Sequence, residues 1–171
     1  ADWGLADRYI ETFVRKRLPC NWKAAAEAFL EAYHVRETHS TGELGDEVTT
    51  AYDIFEPNVS RFIHTTGLNS PLRNPPRTEQ ELLARTTMRR GVDTPEMPEG
   101  ARARDVIADM VKEAMSARTG HDYSDVSQSM TLDSIQYFVF PNMFFFPGLQ
   151  LPMVYRFIPD PESVDHSYFD L

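Results

Sequence analysis

The residues best suited to chemistry in this chain are concentrated in one stretch, residues 21–39, which reads NWKAAAEAFLEAYHVRETH. It holds the only closely spaced histidines of the chain, His34 and His39, and Glu31 lies three residues before the first. Two neutral imidazoles and a carboxylate supplied from elsewhere form the facial triad that binds iron(II) and leaves positions open for dioxygen. The stretch therefore predicts a metal-dependent oxidation.

A helix that then breaks must position these side chains. The alanine-rich run 24–33 favours a helix, with His34 in its last regular turn. On a straight helix, His34 and His39 would diverge by roughly 140°, so one ion could not reach both. The β-branched Val35 and Thr38 weaken the helix there. We therefore expect His39 to lie on a distorted turn that swings it back toward His34.

The same stretch resembles the iron-binding segment of the Rieske non-haem iron oxygenases, the large subunits of aromatic-ring-hydroxylating dioxygenases and related monooxygenases. The family pattern is Asn-Trp-Lys, a short helix, an acidic residue, two residues, a histidine, four residues and a second histidine. Here the pattern is matched by Asn21-Trp22-Lys23, Glu31, His34 and His39. The segments Phe140-Pro141-Asn142 and Tyr155-Arg156-Phe157 also resemble family strands. The resemblance covers nearly the whole chain.

By this resemblance, His34 and His39 are iron ligands. Glu31 matches the acidic residue, more often aspartate, that links the iron site to an iron-sulphur cluster on a neighbouring subunit. The third ligand is an aspartate on a long helix after the last strand, which we expect beyond Leu171. Two histidines alone hold iron weakly, because the carboxylate supplies both charge and geometry. We expect the 171-residue chain alone to bind metal poorly and to be inactive.

The resemblance also implies the cofactors and partners of the intact enzyme. Its mononuclear iron(II) would receive electrons from a 2Fe-2S Rieske cluster, fed by a ferredoxin or reductase and ultimately by NADH or NADPH. The substrates would be dioxygen and a small aromatic or apolar ring, and the assembly a trimer-like homo-oligomer with or without a small subunit. A Rieske cluster needs two cysteines, and Cys20 is the single cysteine here. Residues 1–171 are thus expected to form a partial catalytic domain without the Rieske domain.

Composition limits the other classes of protein to which the chain could belong. The 171 residues are 42% hydrophobic, which suits one globular domain, and no apolar run is long enough to cross a membrane. The formal net charge of -9 with scattered basic residues argues against a nucleic-acid partner. A single cysteine and the lack of a recognisable signal peptide predict a cytoplasmic protein.

The pattern along the chain predicts an α+β fold: an antiparallel sheet with helices, of the helix-grip (START/Bet v 1-like) type that the resemblance implies, truncated before its C-terminal helix. Alternation predicts a strand at 9–17, two extended runs predict strands at 49–55 and 59–66 joined as a hairpin, and β-like segments divided by proline or glycine predict strands at 135–140, 143–146, 151–158 and 164–171. A capping box at Thr78 and Glu81 predicts a helix over 79–90. A second helix has an apolar stripe from Ala103 to Met115, expected to pack on the sheet, and Gly120 as its stop.

Other polar residues have less specific surroundings. His64 lies on one strand face with Ser60 and Phe62, where it either lines a substrate pocket or is an ordinary polar residue of a sheet. His121 is expected in a solvated loop. Strand alternation places Asp165 and Asp170 on the surface, and neither is assigned as a ligand. The aromatic residues between 137 and 146 either shape a pocket for a flat substrate or pack in the core.

Two rival functions remain open on the residues alone. A helix-grip domain can also act as a non-catalytic carrier of a hydrophobic ligand, which would need a pocket but not paired histidines. Two histidines and a carboxylate also suit a zinc hydrolase. The metal present in the purified protein separates the second rival from an iron oxygenase.

Overall fold

The framework of the molecule is a single antiparallel sheet. The computed structural model describes residues 3–38, 49–55, 57–149 and 151–171. Within these ranges, seven strands pair in the order β1-β7-β6-β5-β4-β3-β2. They are β1 (Arg15–Leu18), β2 (Thr50–Phe55), β3 (Val59–His64), β4 (Ser134–Val139), β5 (Met143–Phe146), β6 (Met153–Asp160) and β7 (Ser163–Asp170). The predicted α+β class is confirmed, and the architecture is consistent with a helix-grip fold.

Five α-helices accompany the sheet in the described ranges. They are α1 (Trp22–Glu27), α2 (Val35–Thr38), α3 (Glu79–Arg90), α4 (Ala103–Thr119) and α5 (Gln128–Leu132), and a 3-10 turn covers Leu5–Asp7. None of the described helices combines the length and apolar character that crossing a bilayer requires.

Most predicted strands are confirmed. The hairpin forms from β2 and β3, with Thr50 opposite His64 and Phe55 opposite Val59. The last four strands begin and end within two residues of the predicted bounds. The last four segments are rich in aromatic and β-branched residues and are separated by proline or glycine, so local sequence is sufficient to define them.

The predicted strand over 9–17 is wrong except at its end. Val14 exchanges two backbone hydrogen bonds with Leu171, at 2.8 and 2.9 Å, and β1 follows on β7. The residues before Val14 run past the end of β7, which is the strand that pairs with β1. Tyr9 and Ile10 are 83% and 82% exposed. Among the residues that the structure describes, no strand lies beside residues 9–13, so their alternation is not accompanied by strand pairing.

The face of the sheet that α1 covers, called the inner face below, holds an aromatic core. Phe144, Tyr155 and Phe157 are at most 1% exposed, and the rings of Phe144 and Tyr155 stack at 4.9 Å. Burial of each such side chain contributes roughly 1.5–3 kcal/mol. Of the predicted aromatic run, Phe144 and Phe146 therefore serve the core, whereas Phe140 is exposed.

Helices α3 and α4 begin and end as predicted. The capping box is present at the start of α3: Thr78 Oγ1 accepts from Glu81 N at 3.2 Å, and Glu81 Oε2 accepts from Thr78 N at 2.8 Å. Two glycines in the left-handed region follow the helices, Gly91 at φ 66° and Gly120 at φ 75°. Glycine adopts this conformation without a side-chain clash, so it stops a helix.

The apolar stripe of α4 packs mainly on helices and not on the sheet, so that prediction is wrong. Ala103 and Ile107 form a buried cluster with Leu82 and Leu83 of α3 and Leu132 of α5. Helix α5 was not predicted. It is only one turn long, and its partners come from distant segments, so its sequence carries little periodic signal.

A buried ion pair joins this helical layer to the end of the sheet. Arg104 of α4 donates to Asp133 Oδ1 at 2.7 Å and to the carbonyl of Thr66 at 2.5 Å. Asp133 Oδ1 also accepts from Thr66 N at 3.0 Å. Gly67 follows at φ 74°, and a Cβ there would lie 3.2 Å from Arg104 Cγ. The chain thus turns tightly around the arginine where it leaves β3.

Of the two late aspartates, Asp165 is exposed as predicted, but the prediction for Asp170 is wrong. The Asp170 side chain is 4% exposed and contacts Arg15 Nε at 2.6 Å and Arg156 Nε at 3.0 Å. Hydrogen bonding to Arg15, followed by that to Arg156, lowers the pKa of Asp170 below its usual range. The two arginines lie on the strands either side of β7 and enclose the carboxylate. His121 is exposed in a loop after α4, as predicted.

Candidate active site

Asn21 fixes the start of the stretch that carries Glu31 and His34. Its Oδ1 accepts from Lys23 N at 2.9 Å, which caps the first turn of α1. Its Nδ2 donates to the carbonyl of Val164 on β7 at 2.7 Å. Trp22 packs on the aromatic core beside the buried Ala26. The first turn of α1 is thereby held on the inner face.

Helix α1 ends well before the predicted position. It stops at Glu27, and the next two turns are tightened by bonds from Phe29 N to Ala26 O (3.0 Å) and from Leu30 N to Glu27 O (2.9 Å). The prediction that His34 lies in the last regular turn of this helix is therefore wrong. The break comes before Glu31, and His34 immediately precedes α2.

The early break is explained by contacts to the sheet at Phe29. Its ring lies 5.1 Å from Tyr155 and 5.4 Å from Phe157. Its carbonyl accepts a hydrogen bond from Gln136 Nε2 of β4 at 2.5 Å. In a continuing helix this carbonyl would accept from Tyr33 N. The glutamine supplies a donor from the sheet instead, so the backbone can leave the helix while this carbonyl keeps a hydrogen-bond partner.

Glu31 and His34 meet directly after this break. The His34 Nδ1 atom contacts Glu31 Oε1, and His34 N lies 3.4 Å from Glu31 Oε2. Both side chains are 26% exposed. The next residue, Val35, is buried, and the ring of Tyr33 stands edge-on to His34 at 6.3 Å. The predicted proximity of the acid and the first histidine is present, although the backbone between them is a turn.

His39, the second predicted ligand, lies outside the described residues. Among the residues that the structure does describe, no group of three His, Cys, Asp or Glu side chains is arranged to hold a metal ion. The predicted third carboxylate, beyond Leu171, is also outside the chain.

The Glu31–His34 pair combines a histidine that could bind a metal with a carboxylate that could hold its ring in place. A histidine that binds a metal through one ring nitrogen generally donates the N–H of the other to a carboxylate, which fixes the ring and raises its basicity. With the proton on Nδ1, His34 donates to Glu31, and Nε2 is the nitrogen that a metal would use. These two residues fit an iron(II) site to which other ligands contribute.

His64 lies on the inner face of β3, within reach of several polar groups. It is 7% exposed, its Nδ1 lies 3.1 Å from Thr50 Oγ1, and its ring stacks on Phe62 at 5.4 Å. Its strand partner on β4 is Ser134. The predicted face with Ser60 and Phe62 is confirmed. Whether it lines a substrate pocket stays a prediction.

Gln136 is the residue of this site that the sequence did not single out. It lies 107 positions from Phe29 in the chain, and no spacing rule connects the two. A signal was nevertheless present: Gln136 is the polar residue in the segment 135–140, between Ile135 and Tyr137, and the other five residues there are apolar or aromatic. A buried amide in such a strand needs partners, which points to a specific contact.

Comparison with known proteins gives a family match over nearly the whole chain. The family described as the ring hydroxylating alpha subunit (catalytic domain) matches residues 5–171. No curated protein and no solved structure gives a significant match.

Proposed function

Because the chain belongs to the ring-hydroxylating alpha-subunit catalytic-domain family, we propose that it forms the iron-bearing part of an oxygenase that hydroxylates or dihydroxylates an aromatic or apolar ring. The family consists of ring-hydroxylating oxygenases, so the chain is part of an enzyme. The contact between Glu31 and His34 is the observation that carries the proposal. It is the arrangement expected of a metal-binding imidazole, and it lies in the stretch that carries the Asn-Trp-Lys pattern.

In this proposal, His34 and His39 hold the metal, together with a carboxylate from beyond Leu171. Iron(II) bound there supplies reductive activation of dioxygen, with electrons from a 2Fe-2S Rieske cluster that a ferredoxin or reductase refills from NADH or NADPH. Since a Rieske cluster needs two cysteines, it must be held by residues outside 1–171. A trimer-like homo-oligomer, with or without a small subunit, would bring a neighbour's cluster to Glu31.

The side chains of this chain have distinct roles in the proposal. Glu31 holds the proton on His34 Nδ1 and so keeps Nε2 directed at the metal. Its carboxylate is partly exposed, which leaves an edge to accept a hydrogen bond from a neighbouring subunit. Gln136 and Phe29 set the backbone from which both side chains project. Val35, the residue after His34, is buried and so anchors the start of α2 next to the histidine.

The test is metal analysis and oxygenation by the intact polypeptide, purified without air. We expect iron in the native protein, and loss of both iron and ring oxygenation in His34→Ala and His39→Ala. His121→Ala is the matched control, because this histidine is exposed in a loop and should leave both unchanged. Stoichiometric zinc with hydrolytic activity would replace the oxygenase by a hydrolase. Ring binding without any metal, unchanged in both variants, would favour a carrier.

A second measurement compares the 171-residue chain with the intact polypeptide. We expect the shorter chain to bind iron(II) more weakly and to lack activity, because a neutral imidazole pair lacks the charge that a carboxylate adds. Equal affinity in the two proteins would contradict a carboxylate ligand from beyond Leu171.

A further inference from the structure

Three arginines lie in the loop before α3 and on the second turn of that helix, and we call them the arginine cluster: Arg73, Arg77 and Arg85. Arg73 ends a turn that is closed by a hydrogen bond from its N to the carbonyl of Ser70 at 3.0 Å. Arg77 directly precedes Thr78, the N-cap of α3. The chain as a whole has a formal net charge of -9, so this concentration of cations differs from its general character.

The fold holds the arginines of this cluster near one another. Asn69 Oδ1 accepts from Arg77 N, and Asn69 Nδ2 donates to the carbonyl of Arg77, both at 2.8 Å. This double bond closes the loop 69–77 and fixes Arg77 at the start of α3. Thr78, Glu81 and Arg85 share a helix face, because they are spaced three and four residues apart. Long side chains on a helix point toward its N-terminus, so Arg85 extends back toward Arg77.

The positive charges of the cluster are only partly balanced. Desolvation by partial burial lowers the pKa of Arg77, and repulsion first from Arg73 and then from Arg85 lowers it further. Glu81 is the carboxylate that acts on Arg77 in the opposite direction. Its Oε2 already accepts hydrogen bonds from Thr78 N at 2.8 Å and from Thr78 Oγ1 at 3.1 Å. Within the part of the chain that the structure describes, none of the three guanidinium groups forms an ion pair or donates a hydrogen bond.

The guanidinium of Arg85 is half enclosed. Its Nε is shielded from solvent and has no hydrogen-bond partner among the described residues. Its terminal nitrogens, and all those of the partly buried Arg77, are not among the enclosed atoms without a partner, so they border accessible space. Donors in this state can be reached by a group from solvent, and a charged hydrogen bond there would stabilise the site.

The charge and the geometry of the cluster favour a phosphate group over a carboxylate. Guanidinium groups bind both kinds of anion, often through two parallel hydrogen bonds. Three arginines and one glutamate leave two positive charges, which a phosphate dianion would balance. A phosphate group also offers at least three strong acceptor oxygens that point in different directions, so arginines from the loop and from the helix can reach it together.

We propose that Arg73, Arg77 and Arg85 bind a phosphate group between the loop 69–77 and the start of α3. The phosphate is either free inorganic phosphate or the phosphate of a small monoester, and a nucleic-acid backbone is disfavoured by the net charge of -9. A bound phosphate offsets the repulsion among the arginines and ties the loop to the helix. It binds the folded protein alone and therefore stabilises it.

The experiment measures binding of radiolabelled inorganic phosphate to the intact polypeptide by equilibrium dialysis, at constant ionic strength and about pH 8, where phosphate is mainly a dianion. We expect saturable binding of one phosphate per chain. The melting temperature should rise with phosphate concentration and should not rise with sodium chloride at the same ionic strength.

Four variants test the assignment of residues. Arg77→Gln and Arg85→Gln should each weaken phosphate binding by roughly tenfold or more, as the loss of a charged hydrogen bond would give. Arg118→Gln is the matched control, because it removes the same charge from the exposed last turn of α4 and should leave the affinity unchanged. Glu81→Gln should act in the opposite direction. Glutamine also completes a capping box, so the start of α3 is kept while the repulsive carboxylate is removed, and phosphate should bind more tightly.

Adenosine monophosphate and acetate serve as further probes on the same samples. Adenosine monophosphate that binds at least as tightly as inorganic phosphate identifies a monoester as the ligand, whereas binding of inorganic phosphate alone identifies the free anion. Acetate that binds as tightly as phosphate would refute the preference for a phosphate group.

Two results would overturn the site itself. The first is a protein that binds no phosphate at constant ionic strength. The second is an affinity that is the same in Arg77→Gln and Arg85→Gln as in Arg118→Gln, which would show an adventitious ion only. Thermal unfolding without phosphate verifies that each variant is folded. If Arg85→Gln is unfolded, Arg77→Gln and Glu81→Gln still have to shift the affinity in opposite directions.

Discussion

Replacing Gln136 with leucine removes the amide that donates to the carbonyl of Phe29 at 2.5 Å while keeping a side chain of similar size. A typical hydrogen bond contributes about 0.5–1.5 kcal/mol, and Phe29 is 41% exposed, so water can reach its carbonyl once the amide is removed. If that free energy holds the turn in its metal-binding shape, iron affinity falls by about two- to tenfold. The free energy of unfolding falls by a similar amount.

The assay is an anaerobic iron(II) titration against a competing chelator, paired with urea unfolding. Gln80→Leu is the matched control, because Gln80 Nε2 also donates to a backbone carbonyl, that of Pro95, at 3.2 Å. Gln80 lies on α3, and the hydrogen bonds described for its side chain are to Pro95 and Met97, not to the turn that carries Glu31 and His34. We expect a lower iron affinity in Gln136→Leu and an unchanged one in Gln80→Leu. If Gln136→Leu is destabilised but binds iron as tightly as the native protein, the hydrogen bond from Gln136 to the carbonyl of Phe29 does not position His34.

Three further predictions concern stability. Asp133→Ala should lower the free energy of unfolding by about 3–5 kcal/mol in urea, because it leaves the buried Arg104 without its carboxylate. The two arginine partners of Asp170 lower its pKa in the folded protein. The stability that its carboxylate contributes is therefore fully present above about pH 4, the pKa of an aspartate in the unfolded chain, and is lost as the pH falls through the lower pKa of the folded protein. The difference in unfolding free energy between native protein and Asp170→Asn should thus shrink on acidification, while Asp165→Asn should change little at any pH. Thr78→Ala should cost about 1 kcal/mol in thermal unfolding, since it removes the cap of α3; no change in melting temperature would contradict this role.

Local sequence signals were sufficient to predict much of the fold. The capping box at Thr78, the glycines after α3 and α4, and the prolines and glycines that divide the last four strands each act over a few residues. The structure has these elements where they were predicted. The contact between Glu31 and His34 is also local, because the two residues are three apart. Features of this kind depend on intrinsic preferences that a single sequence displays.

The features that were missed depend on partners far along the chain. The break after Glu27 coincides with the hydrogen bond from Gln136 to the carbonyl of Phe29, whereas the alanine-rich run by itself favours a continuing helix. The burial of Asp170 requires arginines from two other strands. The local sequence favours a continuing helix in the first case and an exposed side chain in the second, and the tertiary contacts override both preferences.

The strand order has a consequence for how the protein is assembled during synthesis. Strand β1 and helix α1 are made before the other strands and α-helices of residues 3–171, yet among the described residues β1 pairs with β7, and α1 packs on β6 and β7, which are made well after them. Contacts between such distant segments form slowly, because a long loop must close first. The Asn21–His34 region must therefore wait, without its supporting strands, until nearly all of these residues have been made. A chaperone that shields this early segment would be expected to raise the yield of correctly assembled protein.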